Sequence, residues 1–261
     1  VAKSSKRPAK YDLKAADRKR NLAIQIGLTA VVVIFAVGLV FYIVSNGEKK
    51  RSDAVKAVRI VESTSLIKQD GTDEPKAVLS IYEDFQCPHC AIFEQQFGPT
   101  VNKLVKAGAV AADYHLVAIL DSPLNQNYST RAANAAYCVA EADTTPDKEV
   151  FQRFHSALFA QQPAEGSGNA PDNARLIELA RQAGIVDSVP DCINNGNFND
   201  LVDGMAAASK VTGTPTLRIN GEDFKLGENT PDDLVAKVKE IVGDIPALDA
   251  PAPKPAPAPA P

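Results

Sequence analysis

The stretch from Leu22 to Val44 carries no charged residue and only one strongly polar one, Gln25. As a helix rising 1.5 Å per residue it is long enough to cross a hydrocarbon core of about 30 Å, so it predicts one transmembrane helix and divides the sequence between two compartments. A cleavable leader is the rival reading, but its apolar region usually runs about 7 to 15 residues and ends at small residues. Here the run is longer, and Val44-Ser45-Asn46-Gly47 makes a poor cleavage site. Residues 1–21 hold eight Lys or Arg against Asp12 and Asp17, a net +6 that leaves −10 of the overall −4 for the rest. This arm outweighs Lys49, Lys50 and Arg51 beyond the helix, so the positive-inside rule places the N-terminus in the cytoplasm and the large C-terminal part outside, on the periplasmic or cell-wall side. An acidic remainder excludes a nucleic-acid partner.

Outside the cytoplasm thiols meet an oxidising environment, which changes how the four cysteines read. Four cysteines allow three pairings. Cys87 and Cys90 lie two residues apart, whereas Cys138 and Cys192 are distant from each other and from that pair. The simplest allocation is one redox pair and one structural bridge, Cys138 with Cys192.

After a juxtamembrane linker over 45–53, the pattern becomes that of an α/β domain over 54–243. Val55 to Ile60 and Ala77 to Tyr82 read as strands, separated by a turn-rich stretch ending at Pro75. The second strand runs directly into Cys87-Pro88-His89-Cys90. Ile92, Phe93, Phe97, Leu104 and Val105 then fit a helix bent near Gly98-Pro99, and Ala109 to Ile119 reads as a third strand, completing a β-α-β unit. From about residue 121 to 209 the periodicity is helical. Phe151, Phe154 and Leu158 form a stripe behind a Thr145-Pro146 start, Leu176, Leu179 and Ala183 form one stopped by Gly184, and Leu201, Met205 and Ala208 suggest another. The block predicts an all-helical insertion. Strands return at Thr216 to Asn220 and Asp223 to Leu226 around an Asn220-Gly221 hairpin turn. A last helix begins at Thr230-Pro231 and buries Leu234, Val235, Val238 and Val242. Residues 244–261 are mostly Ala and Pro, a composition that favours an extended tail.

Disulfide exchange needs a thiolate to attack sulfur and a second thiol close enough to resolve the mixed disulfide. The C-x-x-C spacing supplies the second thiol. A cysteine at a helix N-terminus faces unsatisfied N–H groups and the positive end of the helix dipole, which lowers its pKa. Pro88 starts the helix without wasting a donor, and a protonated or hydrogen-bonding His89 would further favour the anion. Cys87 is therefore the expected nucleophile and Cys90 the resolving thiol.

Phe85-Gln86-Cys87-Pro88-His89-Cys90, followed by Phe93 and Glu94, resembles the active site of the DsbA-type thioredoxin-fold oxidases, here in a membrane-anchored bacterial form. Gly213-Thr214-Pro215 is similar to the cis-proline loop that faces the active disulfide across the thioredoxin superfamily, where the backbone of Thr214 would pair with an extended substrate. The helical block matches the DsbA insertion in place and size. The resemblance covers roughly 54–243 and implies a thioredoxin fold with that insertion, preceded by the transmembrane helix. It implies a protein disulfide oxidoreductase that needs no cofactor beyond its own redox-active disulfide and acts on reduced or unfolded exported proteins. It also implies reoxidation by a membrane partner of the DsbB or vitamin K epoxide reductase type. One departure stands out: the family usually has a buried acid six residues before the first active cysteine, where this chain has Ile81. Alternation puts Glu83, not Asp84, on the side of Ile81, which makes Glu83 the candidate replacement. His115 and His155 read as structural residues.

Other chemistries fit less well. A structural zinc site would bring a second closely spaced ligand pair, which is lacking, so no metal is expected. Haem attachment needs histidine directly after the second cysteine, where Ala91 stands. A reductase or isomerase keeps the fold but reverses or redirects the electrons, and a non-catalytic membrane-anchored module would leave the cysteine pair idle.

Overall fold

The computed structural model describes residues 56–62, 64–185 and 189–249, all within the unit Asp53–Pro261. The expected transmembrane helix at 22–44, the basic arm and most of the Ala/Pro tail lie outside the described residues. Among the described residues no helix is long and apolar enough to cross a membrane.

Five strands make one mixed sheet: β1 (Val58–Ile60), β2 (Val78–Glu83), β3 (Ala111–Leu116), β4 (Thr216–Ile219) and β5 (Glu222–Phe224), in the order β1-β3-β2-β4-β5. The central pair, β2 and β3, is parallel, and every other pairing is antiparallel. A parallel pair needs a crossover, and here it consists of α1 (Pro88–Gln96) and α2 (Gly98–Lys106). The sequence suggested one bent helix. The chain instead breaks at Phe97, which closes α1 through its N–H to the Phe93 carbonyl and precedes Gly98 and Pro99 at the start of α2. Proline has no N–H to continue the first helix, so it begins a second.

Among the described residues, five helices lie between β3 and β4: α3 (Tyr128–Ala142), α4 (Glu149–Ala160), α5 (Asn173–Ala183), α6 (Val189–Asn195) and α7 (Asn199–Ala208). The stripe Phe151, Phe154 and Leu158 is fully buried, and Leu176 and Leu179 join it in the core. Each such side chain contributes roughly 1.5 to 3 kcal/mol of burial. On α7 the buried face is Val202 and Met205, with Leu201 only half-buried. The α4 start also differs from expectation. Thr145 and Pro146 precede the helix rather than open it, because Thr145 Oγ1 accepts the Glu149 N–H at 2.9 Å while Asp143 accepts that of Phe151 at 2.9 Å.

The hairpin turn forms as read, with Asn220 at φ 49 and Gly221 at φ 88, the left-handed pair that Asn-Gly supplies. In α8 (Pro231–Val242), Thr230 and Asp233 form a reciprocal capping box. The packed part of the chain runs past Gly243: Ile245 and Leu248 are buried, the latter in the short α9 (Pro246–Asp249), and Lys103 donates to the Leu248 carbonyl at 3.2 Å. Two isolated apolar residues in an Ala/Pro context give no periodicity, so composition alone assigned them to the tail.

Candidate active site

Strand β2 ends at Glu83, and the turn Asp84-Phe85-Gln86 delivers Cys87 to the N-cap of α1, with Pro88 in the first turn and no side-chain cap. The helix's first N–H groups are thus left for the sulfur. Cys87 is 5% exposed and Cys90 not at all, and both are free thiols. The Cys87 thiol donates to the Thr214 carbonyl at 3.3 Å, across the cis Thr214–Pro215 bond, so the Gly213-Thr214-Pro215 loop does face the cysteine. Hydrogen bonding from the Cys90 thiol holds Cys87 down at about 5, helped by the Thr214 side chain and by the backbone N–H groups of Cys90 and His89. The part His89 plays in holding that anion comes through its backbone. Cys90 moves the opposite way, pushed far up by burial, by its bond to Cys87 and by the charge of Glu83.

Beneath the pair lies a cluster only partly visible in sequence. Glu83 is buried, and its Oε2 stands 2.9 Å from His155 Nε2 on α4. His155 Nδ1 is 4.0 Å from Glu94 Oε2 on α1, and the Glu94 carboxyl acts on that of Glu83. Glu94 can turn into the cluster because Gly98 has no side chain: a Cβ there would meet Glu94 Oε2 at 3.0 Å. Burial pushes Glu83 well above the usual carboxylate range and Glu94 up to about 8, while it lowers His155. Burial thus favours the neutral form of both partners in the close Glu83–His155 contact. Phe85, Tyr114, Phe151 and Phe159 wall the imidazole, which explains the desolvation. The donor atoms of Glu83, Glu94 and His155 lie within 4.8 Å of one another, but dry walls and neutral carboxyls suit proton exchange better than a cation.

Asp84 serves a different purpose. Its carboxylate accepts the N–H groups of Gln86, Ile119 and Leu120 at 2.8, 2.8 and 2.9 Å, tying the active-site turn to the loop after β3. On the open side, an apolar groove of about 520 Å³ runs past the site, lined by His89, Ile92, Phe93, Phe97, Pro215 and Leu226 among others. Far from this centre, Cys138 on α3 and Cys192 on α6 form a disulfide with Cα atoms 5.9 Å apart.

Cys87, Pro88, His89, Cys90, Gly213, Thr214 and Pro215 thus converge, and Cys138 and Cys192 stand apart as a bridge. Glu94 and His155 belong to the centre although sequence reading passed over both as site residues. The signal for Glu94 was its position one helical turn beyond Cys90; for His155 there was none.

A family model described as Thioredoxin matches residues 69–240. The chain is similar to the reduced DsbA of Mycobacterium tuberculosis, at 59% identity and a TM-score of 0.69, covering 74% of this chain and 96% of that one. It is similar to the reduced disulfide oxidoreductase DsbG of Mycobacterium tuberculosis, at 60% identity and a TM-score of 0.69, covering 74% and 90%. Among curated proteins it is similar to the serine/threonine-protein kinase PknE of Mycobacterium tuberculosis, at 32% identity over 129 residues, which are 48% of this chain and 22% of the kinase. The match spans under a quarter of that relative's length.

Proposed function

This chain belongs to the DsbA-type thiol-disulfide oxidoreductases of the thioredoxin family, and from that premise we propose that it works as an oxidase, donating the Cys87–Cys90 disulfide to reduced or unfolded exported proteins. The observation that carries the direction is the opposed titration of the two sulfurs, Cys87 held at about 5 and Cys90 pushed far up. A reduced form stabilised as one thiolate makes the disulfide a stronger oxidant, and each 30 mV corresponds to about 1.4 kcal/mol.

In the oxidising direction a substrate thiolate attacks Cys87 Sγ, the less buried sulfur, and breaks the Cys87–Cys90 bond. Cys90 leaves as a poor leaving group that must take up a proton. Glu83, whose protonated form burial favours, is the donor in this reading, and Glu94 and His155 relay a replacement proton to it from solvent. A second substrate thiolate then attacks the substrate sulfur and expels Cys87, whose low pKa makes it a good leaving group. The substrate gains one disulfide and loses two electrons; the cysteine pair gains both, one proton rests on Cys90 and the other passes to solvent. No cofactor beyond the pair enters. The apolar groove suits an extended, unfolded segment lying along the Thr214 backbone.

The same reading anchors the domain through Leu22–Val44, with residues 1–21 cytoplasmic and the cysteines outside. Reoxidation then falls to a membrane partner of the DsbB or vitamin K epoxide reductase type. The uncharged run and the excess of positive charge before it support this arrangement. The test is oxidative refolding of a reduced protein that needs disulfides by the oxidised chain: transfer of one disulfide per molecule supports the oxidase, and no transfer by the oxidised chain, with the reduced chain opening preformed disulfides instead, contradicts it.

A further inference from the structure

The helical insertion reaches the active-site turn at a point that the exchange chemistry does not itself use. Gln162, just beyond the end of α4, donates from Nε2 to the carbonyls of Phe85 and Cys87, each at 2.9 Å. In return Gln86 donates from Nε2 to the Pro163 carbonyl at 2.9 Å. The two glutamines form a latch between the 85–87 turn and the 162–163 segment, backed by the Phe85 and Phe159 rings at 5.0 Å. Its halves are not equivalent, because only Gln162 touches an atom of Cys87.

The Cys87 carbonyl also receives the N–H groups of Cys90 at 3.0 Å and Ala91 at 3.4 Å. Carbonyl oxygens carry partial negative charge, and those of Cys87 itself and of Phe85, two residues before it, oppose ionisation of the Cys87 sulfur. Donors placed on those oxygens offset that field in the low-dielectric surroundings of a buried site. Resting on the redox reading above, we propose that Gln162 is a positioning residue for the redox centre: through the Phe85 and Cys87 carbonyls it couples the helical insertion to the reactivity of the Cys87 sulfur.

The experiment follows alkylation of Cys87 by iodoacetamide in the reduced full chain, from about pH 4 to 8, with the adduct located by mass spectrometry. Gln162→Met keeps the bulk and removes both donors. It is expected to raise the alkylation midpoint by about half a pH unit or more, leaving ~3-fold less thiolate below the midpoint. Gln86→Met opens the other half of the latch and is expected to leave the midpoint where the parent has it. Should Gln162→Met fail to fold, Gln162→Asn, too short to bridge both carbonyls, is expected to give the same rise. A folded Gln162 variant with the parent's midpoint overturns the proposal, as does an equal shift in Gln86→Met, which would mark the latch as a general structural tie. A parent midpoint at the value of an ordinary thiol would instead defeat the redox reading, so the two failures are distinguishable.

Discussion

The domain holds two cysteine pairs in opposite surroundings. Cys138 and Cys192 are 54 residues apart and join α3 to α6, away from the α1 N-terminus and the buried carboxyls. Cys87 and Cys90 share one helical turn, with the helix N-terminus on one sulfur and the buried Glu83 acting on the other. The first pair closes a long loop and constrains the unfolded chain. The second closes almost no loop, so its disulfide adds little to stability and is free to be donated. What separates a structural bridge from a reagent is therefore where the fold places donors and acids, rather than the number of cysteines.

The sharpest way to break that contrast is to delete each pair. Cys138→Ala with Cys192→Ala is expected to lose about 4 kcal/mol of stability in the chain-entropy account, measured by urea unfolding, while exchange activity per folded molecule persists. Cys87→Ala is expected to abolish exchange and, at about pH 5 where the thiolate contributes little, to leave urea stability nearly intact. Activity that fell with the Cys138–Cys192 bridge in a folded chain would erase the distinction.

A smaller effect is expected at the proton donor. Glu83→Gln keeps the shape and removes the acid, and opening of the Cys87–Cys90 disulfide by a small thiol should slow by roughly 100-fold near neutral pH, the low end for a lost general acid. Stopped-flow measurement with the same variant at low pH checks the assignment: abundant solvent protons should recover part of the rate, whereas a uniform loss would make Glu83 a packing residue.

The smallest effect is on stability against pH. Cys87 titrates at about 5 in the folded reduced chain, against an ordinary 9.0. Between those values the unfolded chain binds the extra proton, so the reduced form gains about 1.4 kcal/mol per pH unit as pH rises. That gain is complete above the unfolded value and is lost as pH falls through 5. Glu83 and Glu94, both raised, act oppositely: they keep protons that the unfolded chain gives up, and their contribution is lost as pH rises, for Glu94 through about 8. The oxidised form carries these two carboxyls as well, so the stability difference between reduced and oxidised forms leaves Cys87 together with the effect of its charge on Glu83. That difference should move toward the reduced form between about pH 5 and 7, and a flat difference would remove the thiolate. The Cys138–Cys192 bridge offers no titrating thiol and predicts no slope.

Much of this arrangement was legible in sequence because it is local. Strand, C-x-x-C and helix follow one another directly, Asn220-Gly221 dictates its turn, and Thr230 announces its helix by a cap. Alternation correctly set Glu83 on the side of Ile81, two residues nearer the cysteines than the usual acid. What Glu83 meets was hidden, since His155 arrives from a helix 72 positions away and only packing brings it there. The burial of Ile245 and Leu248 was hidden for a related reason, as it depends on neighbours outside the local pattern. The latch at Gln162 is a contact between side chain and backbone across the insertion, and no periodicity encodes such contacts.

One pair is held ready to give up its disulfide and the other is not. The direct test is a single glutathione redox titration of the oxidised chain, with each disulfide quantified separately by mass spectrometry. Cys87–Cys90 is expected to be reduced at a potential well above the roughly −300 mV below which structural bridges lie, with Cys138–Cys192 intact throughout. Reduction of both pairs together, or of Cys138–Cys192 first, would contradict it.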